Sequence, residues 1–335
     1  MWKEIIKIWS LPAILNKRSA IIKLFVIVSI LVLIYLQLTS GDGQNSLKSI
    51  WLNHRKELKP VYLWLCLFLM PINWYLEALK FKKLMMPHIF LTVKASLLSV
   101  LGGLAIGIVS PGRVGEYAGR LITTDPEHKT EVISATLLGS IAQNICNIAV
   151  GLAFSYFFLK STLNVTYNNT FAFVAGVTIQ IVILVAVYYH LPQLAHLIEK
   201  MLPHNIISRI SARLKTLDLY KPALLNVILG LSFLRYMVYF LQYILIIRFF
   251  NVGSEIIEIA GNVAGIYMIQ TGIPLPAFLS IMARGELAIL VWSGLGVSST
   301  VALAATFTLW IINLILPSVA GLIVLYFADI KNYFK

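Results

Sequence analysis

Ser110-Pro111-Gly112-Arg113-Val114-Gly115-Glu116-Tyr117-Ala118-Gly119-Arg120 cuts across an otherwise apolar run, and how it is read decides the fold. A helix-breaking Pro-Gly pair and two arginines surround one glutamate, directly after the smooth segment Ser96 to Val109. Charge and broken backbone at membrane depth are costly, and they persist only where protein or a watery cavity encloses them. A second such stretch follows later, with Pro274 and Pro276 ahead of Arg284-Gly285-Glu286. Glu116 and Glu286 are 170 residues apart (286 − 116).

Outward from these two breaks, the chain of 335 residues is 59% hydrophobic and 12% charged, with a mean hydropathy of +0.84. Soluble domains carry about 25% charged residues. The class implied is an all-α polytopic membrane protein, one integral membrane domain over residues 1–335. The apolar span Ile21 to Leu38 is too long for a signal-peptide core and lacks a small-x-small cleavage site near Gly41, so it reads as a retained transmembrane helix. Cys66 and Cys146 both lie inside apolar runs, and no disulfide framework is implied. The histidines have no metal-ligand spacing. No Walker loop, GxGxxG or GxSxG occurs, so no cofactor, no metal, no catalytic residue and no ATP hydrolysis is assigned. The net charge of +13 belongs to basic loops beside a membrane and does not imply a nucleic-acid partner.

Spans of about 20 apolar residues fall at 20–38, 61–79, 131–159, 170–190, 222–250 and 299–327, with paired shorter segments within 89–127 and 255–297. That makes about six full transmembrane helices plus two re-entrant or short-helix hairpins. Lys3, Lys7, Lys17 and Arg18 precede the first span, and Lys80, Lys82 and Lys83 follow the second. Lys200, Arg209, Arg213, Lys215 and Lys221 crowd the connection 191–221, and Lys331 and Lys335 close the chain. The positive-inside rule puts all of these, and both termini, on the cytoplasmic side of the cell inner membrane. Ser161 to Asn169, polar and uncharged, faces the other side. Residues 39–60 should also be external yet carry Lys48, Arg55, Lys56 and Lys59; the pattern Leu47, Ile50, Trp51, His54, Leu58 suggests an interfacial amphipathic helix. The connection 191–221 reads as a second amphipathic helix, on the inner leaflet.

With this topology the two hairpins enter from opposite faces, which makes 61–159 and 222–327 an inverted repeat with its working site at the repeat interface. The 170-residue offset also pairs Gly115 with Gly285, Gly151 with Gly321, and Tyr156-Phe157 with Tyr326-Phe327. Chance identity in a chain so rich in Leu, Ile and Ala is the competing explanation.

Pro111-Gly112 is expected to end the ascending helix of the first hairpin, with a descending helix from near Val114. Arg113, Glu116 and Arg120, at spacings of three and four, share one face. A helix N-terminus with an arginine beside it suits an anion, and the planar guanidinium suits phosphate. The same three residues also fit a self-neutralising clasp that only holds the hairpin. In the second hairpin Gly272, Pro274 and Pro276 mark the turn; Arg284 and Glu286 sit on the returning arm and are expected to meet the first hairpin. Glu77, Asn144, Asn147, Arg235 and Asn313 lie within apolar spans as candidates for lining a cavity, with interhelical bonding as the plainer role for the asparagines.

Two blocks carry a family resemblance: Pro-Gly-Arg-x-Gly-Glu at 111–116, and Arg284-Gly285-Glu286-Leu-Ala-Ile-Leu through Leu-Gly-Val297, followed by a span with Asn313, Pro317 and Gly321. Together they resemble the flippase-like transmembrane region of lysylphosphatidylglycerol synthases, over most of residues 10–330. The segment Phe278 to Ala283 departs from the glycine-rich, proline-preceded form common there. The aminoacyl-transferring soluble domain of that family is not expected in these residues, so the resemblance is to its stand-alone form. It implies movement of an anionic, aminoacylated or polyprenyl-linked lipid between leaflets, with membrane lipids as the partners. Two other readings stand beside it: a membrane-embedded transferase using Glu116 and Glu286, and a non-catalytic partner of a separate synthase or glycosyltransferase.

Overall fold

The computed structural model describes residues 58–108, 110, 114–124, 126–163, 169–194, 197, 216–272 and 277–327. The expected span 20–38, most of 39–60, most of the connection 191–221, and Pro111, Gly112, Arg113, Pro274 and Pro276 lie outside the described residues.

Among the described residues the regular structure is helical throughout. Five stretches are long and apolar enough to cross a membrane: Pro60–Met85 (α1), Lys129–Ala153 (α4), Thr170–Tyr189 (α6), Pro222–Phe249 (α7) and Ser299–Tyr326. They coincide with the spans expected from 61, 131, 170, 222 and 299. Between them lie two pairs of shorter helices, Val93–Gly107 (α2) with Gly115–Ile122 (α3), and Ile256–Gly272 (α8) with Ala277–Ser293 (α9). At 1.5 Å per residue, α2 reaches only about 22 Å, short of the roughly 30 Å apolar layer. A separate helix Ser155–Leu163 (α5) follows α4, so the expected span 131–159 is broken at Phe154.

Helix boundaries follow local chemistry. Pro60 and Pro222 open α1 and α7, where a missing N–H costs nothing. Thr92 caps α2 by accepting from the Ala95 amide at 3.1 Å, and Asn169 caps α6 by accepting from Ala172 at 3.0 Å. The α2 helix closes at Gly107, ahead of the Pro111-Gly112 break expected to end it, while α3 begins at Gly115 beside the expected Val114. The last span divides into Ser299–Trp310 (α10), a π-helical turn Ile311–Ile315 and Leu316–Phe327 (α11). Pro317 explains the widened turn, since it has no N–H to give the Asn313 carbonyl four residues earlier.

The centre is the antiparallel pair α1 and α7, whose ends are joined by the Lys59 amide donating to the Phe249 carbonyl at 3.1 Å. Around this pair the neighbours are crossed: α2 packs on α11, and α8 packs on α4. Glycine sets both crossings. A Cβ on Gly321 would stand 2.0 Å from the Leu101 carbonyl oxygen, and one on Gly151 would stand 2.4 Å from the Met268 Cβ. Inside the first hairpin the arms touch backbone to backbone, a Cβ on Gly119 falling 2.2 Å from the Gly102 oxygen. Apolar clusters fill the space between these helices, one around Tyr236, Ile259 and Trp292 and another around Phe81, Leu138 and Ile228. The α6 helix stands at the edge, with no residue of its apolar window buried inside the protein.

Candidate functional site

Glu77 is the hub of a buried ion cluster built by three helices. On α1, Asn73, Glu77 and Lys80 recur at spacings of four and three and so share one face. Lys80 Nζ lies 2.7 Å from Glu77 Oε2, Arg120 Nη2 of α3 lies 2.7 Å from Oε1, and Arg235 Nη1 of α7 lies 3.0 Å from Oε2. Lys80 is 2% exposed, Arg120 5% and Glu77 7%. Neutral groups complete the shell. Lys80 donates to the Gly139 carbonyl at 3.2 Å, and Arg235 Nε donates to Asn73 Oδ1 at 2.8 Å. The Arg120 guanidinium also stands over the Phe81 ring, 4.8 Å from its centroid. Buried charges are tolerated when paired and hydrogen-bonded in this way, and removing one member strands the others.

A chain of polar bonds leaves the cluster and ends on the second hairpin. Arg235 Nη1 donates to Gln143 Oε1 at 3.4 Å, and Gln143 Nε2 donates to the Tyr239 hydroxyl at 2.8 Å. Tyr239 donates in turn to Asn147 Oδ1, and Asn147 Nδ2 donates to Thr271 Oγ1 at 2.8 Å. Thr271 occupies the last turn of α8, one residue before its end at Gly272. Bonded side chains thus connect Arg120 on one hairpin to Thr271 on the other, through α1, α7 and α4.

Of the residues singled out from sequence, Glu77, Arg120 and Arg235 come together, and Asn147 joins them through Gln143 and Tyr239. Glu116 lies in the first turn of α3, its Cγ only 2.7 Å from where a Gly107 Cβ would be. Arg113 lies outside the described residues. Arg284 and Glu286 ride on α9, whose main packing is on α10, α8 and α5. Arg284 is half-buried there, and Glu286 is exposed. Asn144 is exposed on α4. Asn313 sits in the π-helical turn, its buried Oδ1 without a hydrogen-bond partner among the described residues.

Sequence reasoning missed Asn73, Lys80, Tyr239 and Thr271. By sequence Lys80 belongs with Lys82 and Lys83 at the cytoplasmic end of the span, yet the structure buries it. The available signal was the single face shared by Asn73, Glu77 and Lys80 within an apolar span.

The family model described as the lysylphosphatidylglycerol synthase TM region matches residues 20–321. The chain belongs to that family. No individual curated protein matches it. The matched segment holds the whole Glu77 cluster, the polar chain to Thr271 and both helix pairs, and its last residue, Gly321, is the glycine that seats α11 on α2. As a member of the lysylphosphatidylglycerol synthase TM-region family it is a multi-pass membrane protein involved in lipid handling.

Proposed function

We propose that this protein is a flippase-like lipid translocase. It moves an anionic, aminoacylated or polyprenyl-linked lipid across the cell inner membrane without ATP hydrolysis, with both termini cytoplasmic. The observation that carries this reading is the Glu77 cluster itself: a lipid-handling family member keeps a carboxylate with two buried cations and a third, part-buried one between its central helices and its first hairpin. Charge kept at such depth belongs by default to a substrate path. The headgroup is held by Arg113, Glu116 and Arg120 on one hairpin and by Arg284 and Glu286 on the other, while the acyl or prenyl tails stay in the bilayer.

The two hairpins dip in from opposite faces, and 61–159 and 222–327 form an inverted repeat. Support comes from the crossed packing, in which each half's last span receives the first hairpin arm of the other half. Gly151 and Gly321, 170 residues apart (321 − 151), serve those two crossings. Rocking of one half against the other exposes the site to each leaflet in turn. Cysteine labelling tests the orientation: Asn168→Cys and Lys200→Cys reacting from the same side would contradict it.

Transport is tested in liposomes with fluorescent lipids. Arg113→Ala is expected to abolish movement with the fold intact, and Arg113→Lys, which keeps charge but loses the fork, to retain part of it. If Arg113→Ala combined with Glu116→Ala restores transport, the pair is a structural clasp and not a headgroup site.

A further inference from the structure

The charge balance of the Glu77 cluster points to one class of lipid headgroup, an inference that rests on the translocase reading above. Among the described residues, Lys80, Arg120 and Arg235 are all ion-paired to one carboxylate, that of Glu77, which leaves two positive charges in excess within this group. Asn73, Gln143 and the Gly139 carbonyl contribute dipoles and no charge. Two of the three cations are almost fully buried, so water cannot neutralise the excess.

The cluster also keeps unused donors. Arg120 Nε is buried with no hydrogen-bond partner among the described residues. Arg235 spends Nε on Asn73 and Nη1 on Glu77 and Gln143, and its Nη2 makes none of these bonds. The Arg235 side chain is 20% exposed, against 2% for that of Lys80 and 6% for that of Arg120, so the cluster opens at Arg235. A guanidinium edge beside two surplus charges suits a phosphate oxygen.

We infer that the Glu77 cluster binds a dianionic phosphomonoester, presented by a phosphatidic-acid-like or polyprenyl-phosphate lipid, through Arg235 with Lys80 and Arg120 behind it. A phosphomonoester has a second pKa near 6 and carries close to two negative charges at neutral pH. It cancels the excess. A phosphodiester headgroup carries one charge and leaves one cation uncompensated in a site of low dielectric. The phosphate meets the same cluster that fastens the first hairpin to α1, so headgroup binding and hairpin position are linked.

The test is binding to the purified full-length protein in detergent, using dioctanoyl phosphatidic acid and dioctanoyl phosphatidylmethanol, which differ by one methyl that blocks the second charge. Phosphatidic acid is expected to bind at least about tenfold more tightly, the order expected of one further charge at ion-pair distance in a part-buried site. Arg235→Gln should weaken phosphatidic acid about tenfold or more. Lys80→Met, which lowers the excess from two charges to one, should remove the preference between the lipids. Equal affinity of the two lipids for the wild-type protein overturns the inference without use of any variant, as does a preference that Lys80→Met leaves unchanged. Inorganic phosphate binding as tightly as phosphatidic acid would make this a free-anion site and overturn the lipid assignment. Binding does not require transport, so the liposome assay separates the two claims. Movement of phosphodiester lipids with no preference in binding sinks this inference alone, and selective binding with no movement sinks the translocase.

Discussion

Arg120 Nη2 stands 2.7 Å from Glu77 Oε1, an ion pair between residues 43 apart that ties the first hairpin to the central helix α1. The carboxylate of Glu77 is engaged by Lys80 and Arg235 as well, so one side chain gathers α1, α3 and α7. The hairpin therefore moves relative to α1 only if this pair is broken or its charge is met by something else. An anionic headgroup is the natural substitute.

Glu77→Gln should be among the most damaging single substitutions in the chain. It leaves three cations with no counter-charge in a buried site, and breaking a buried pair in this way costs roughly 3–5 kcal/mol. The expected outcome is a large drop in melting temperature in detergent, or loss of a monodisperse protein. Glu77→Asp, which keeps the charge on a shorter arm, should keep the fold. A Glu77→Gln protein that melts like the wild type would mean that the cluster carries no structural weight.

Gly119→Ala should separate the arms of the first hairpin, because the added methyl meets the Gly102 carbonyl oxygen, a backbone atom that cannot turn aside. Overpacking of this kind costs about 1–3 kcal/mol. Gly176→Ala on the edge helix α6 is the control: nothing lies within 4 Å of its Cβ, and helix propensity favours alanine by roughly 0.5–1 kcal/mol. Melting curves should move in opposite directions for the two variants.

Tyr239→Phe removes one hydroxyl and cuts the bonded path between the hairpins, leaving the Gln143 amide and the Asn147 carbonyl without that partner. Unsatisfied buried groups cost about 1–3 kcal/mol. The protein should fold, melt a few degrees lower, and move lipid more slowly than its stability explains. Wild-type transport rates in this variant would show that the path plays no part in the cycle.

Several features were legible in the sequence because each rests on a local property of the chain. Apolar length located the spans at 61, 131, 170, 222 and 299, since a helix crossing hydrocarbon must be continuous and apolar wherever it meets lipid. The descending arm of the first hairpin was readable as well, since α3 begins within one residue of the expected start. The family was readable from the two charged blocks. Some boundaries were not legible. The span 131–159 is broken at Phe154 where its apolar content continues, and α2 stops at Gly107, ahead of the break marked by Pro111.

The partner of Arg120 was decided by tertiary structure alone. Helical spacing places Glu116 on its own face of α3, and nothing in that spacing reveals that Glu77 comes to meet it from α1. Lys80 is a similar case: by sequence it is the first of three lysines closing a span, and only the packing of α2, α4 and α7 on α1, with Arg120 reaching in from α3, encloses it. Periodicity determines which residues share a face of one helix. Which helix meets that face depends on how glycines such as Gly119, Gly151 and Gly321 let backbones approach, and that is a property of two surfaces at once.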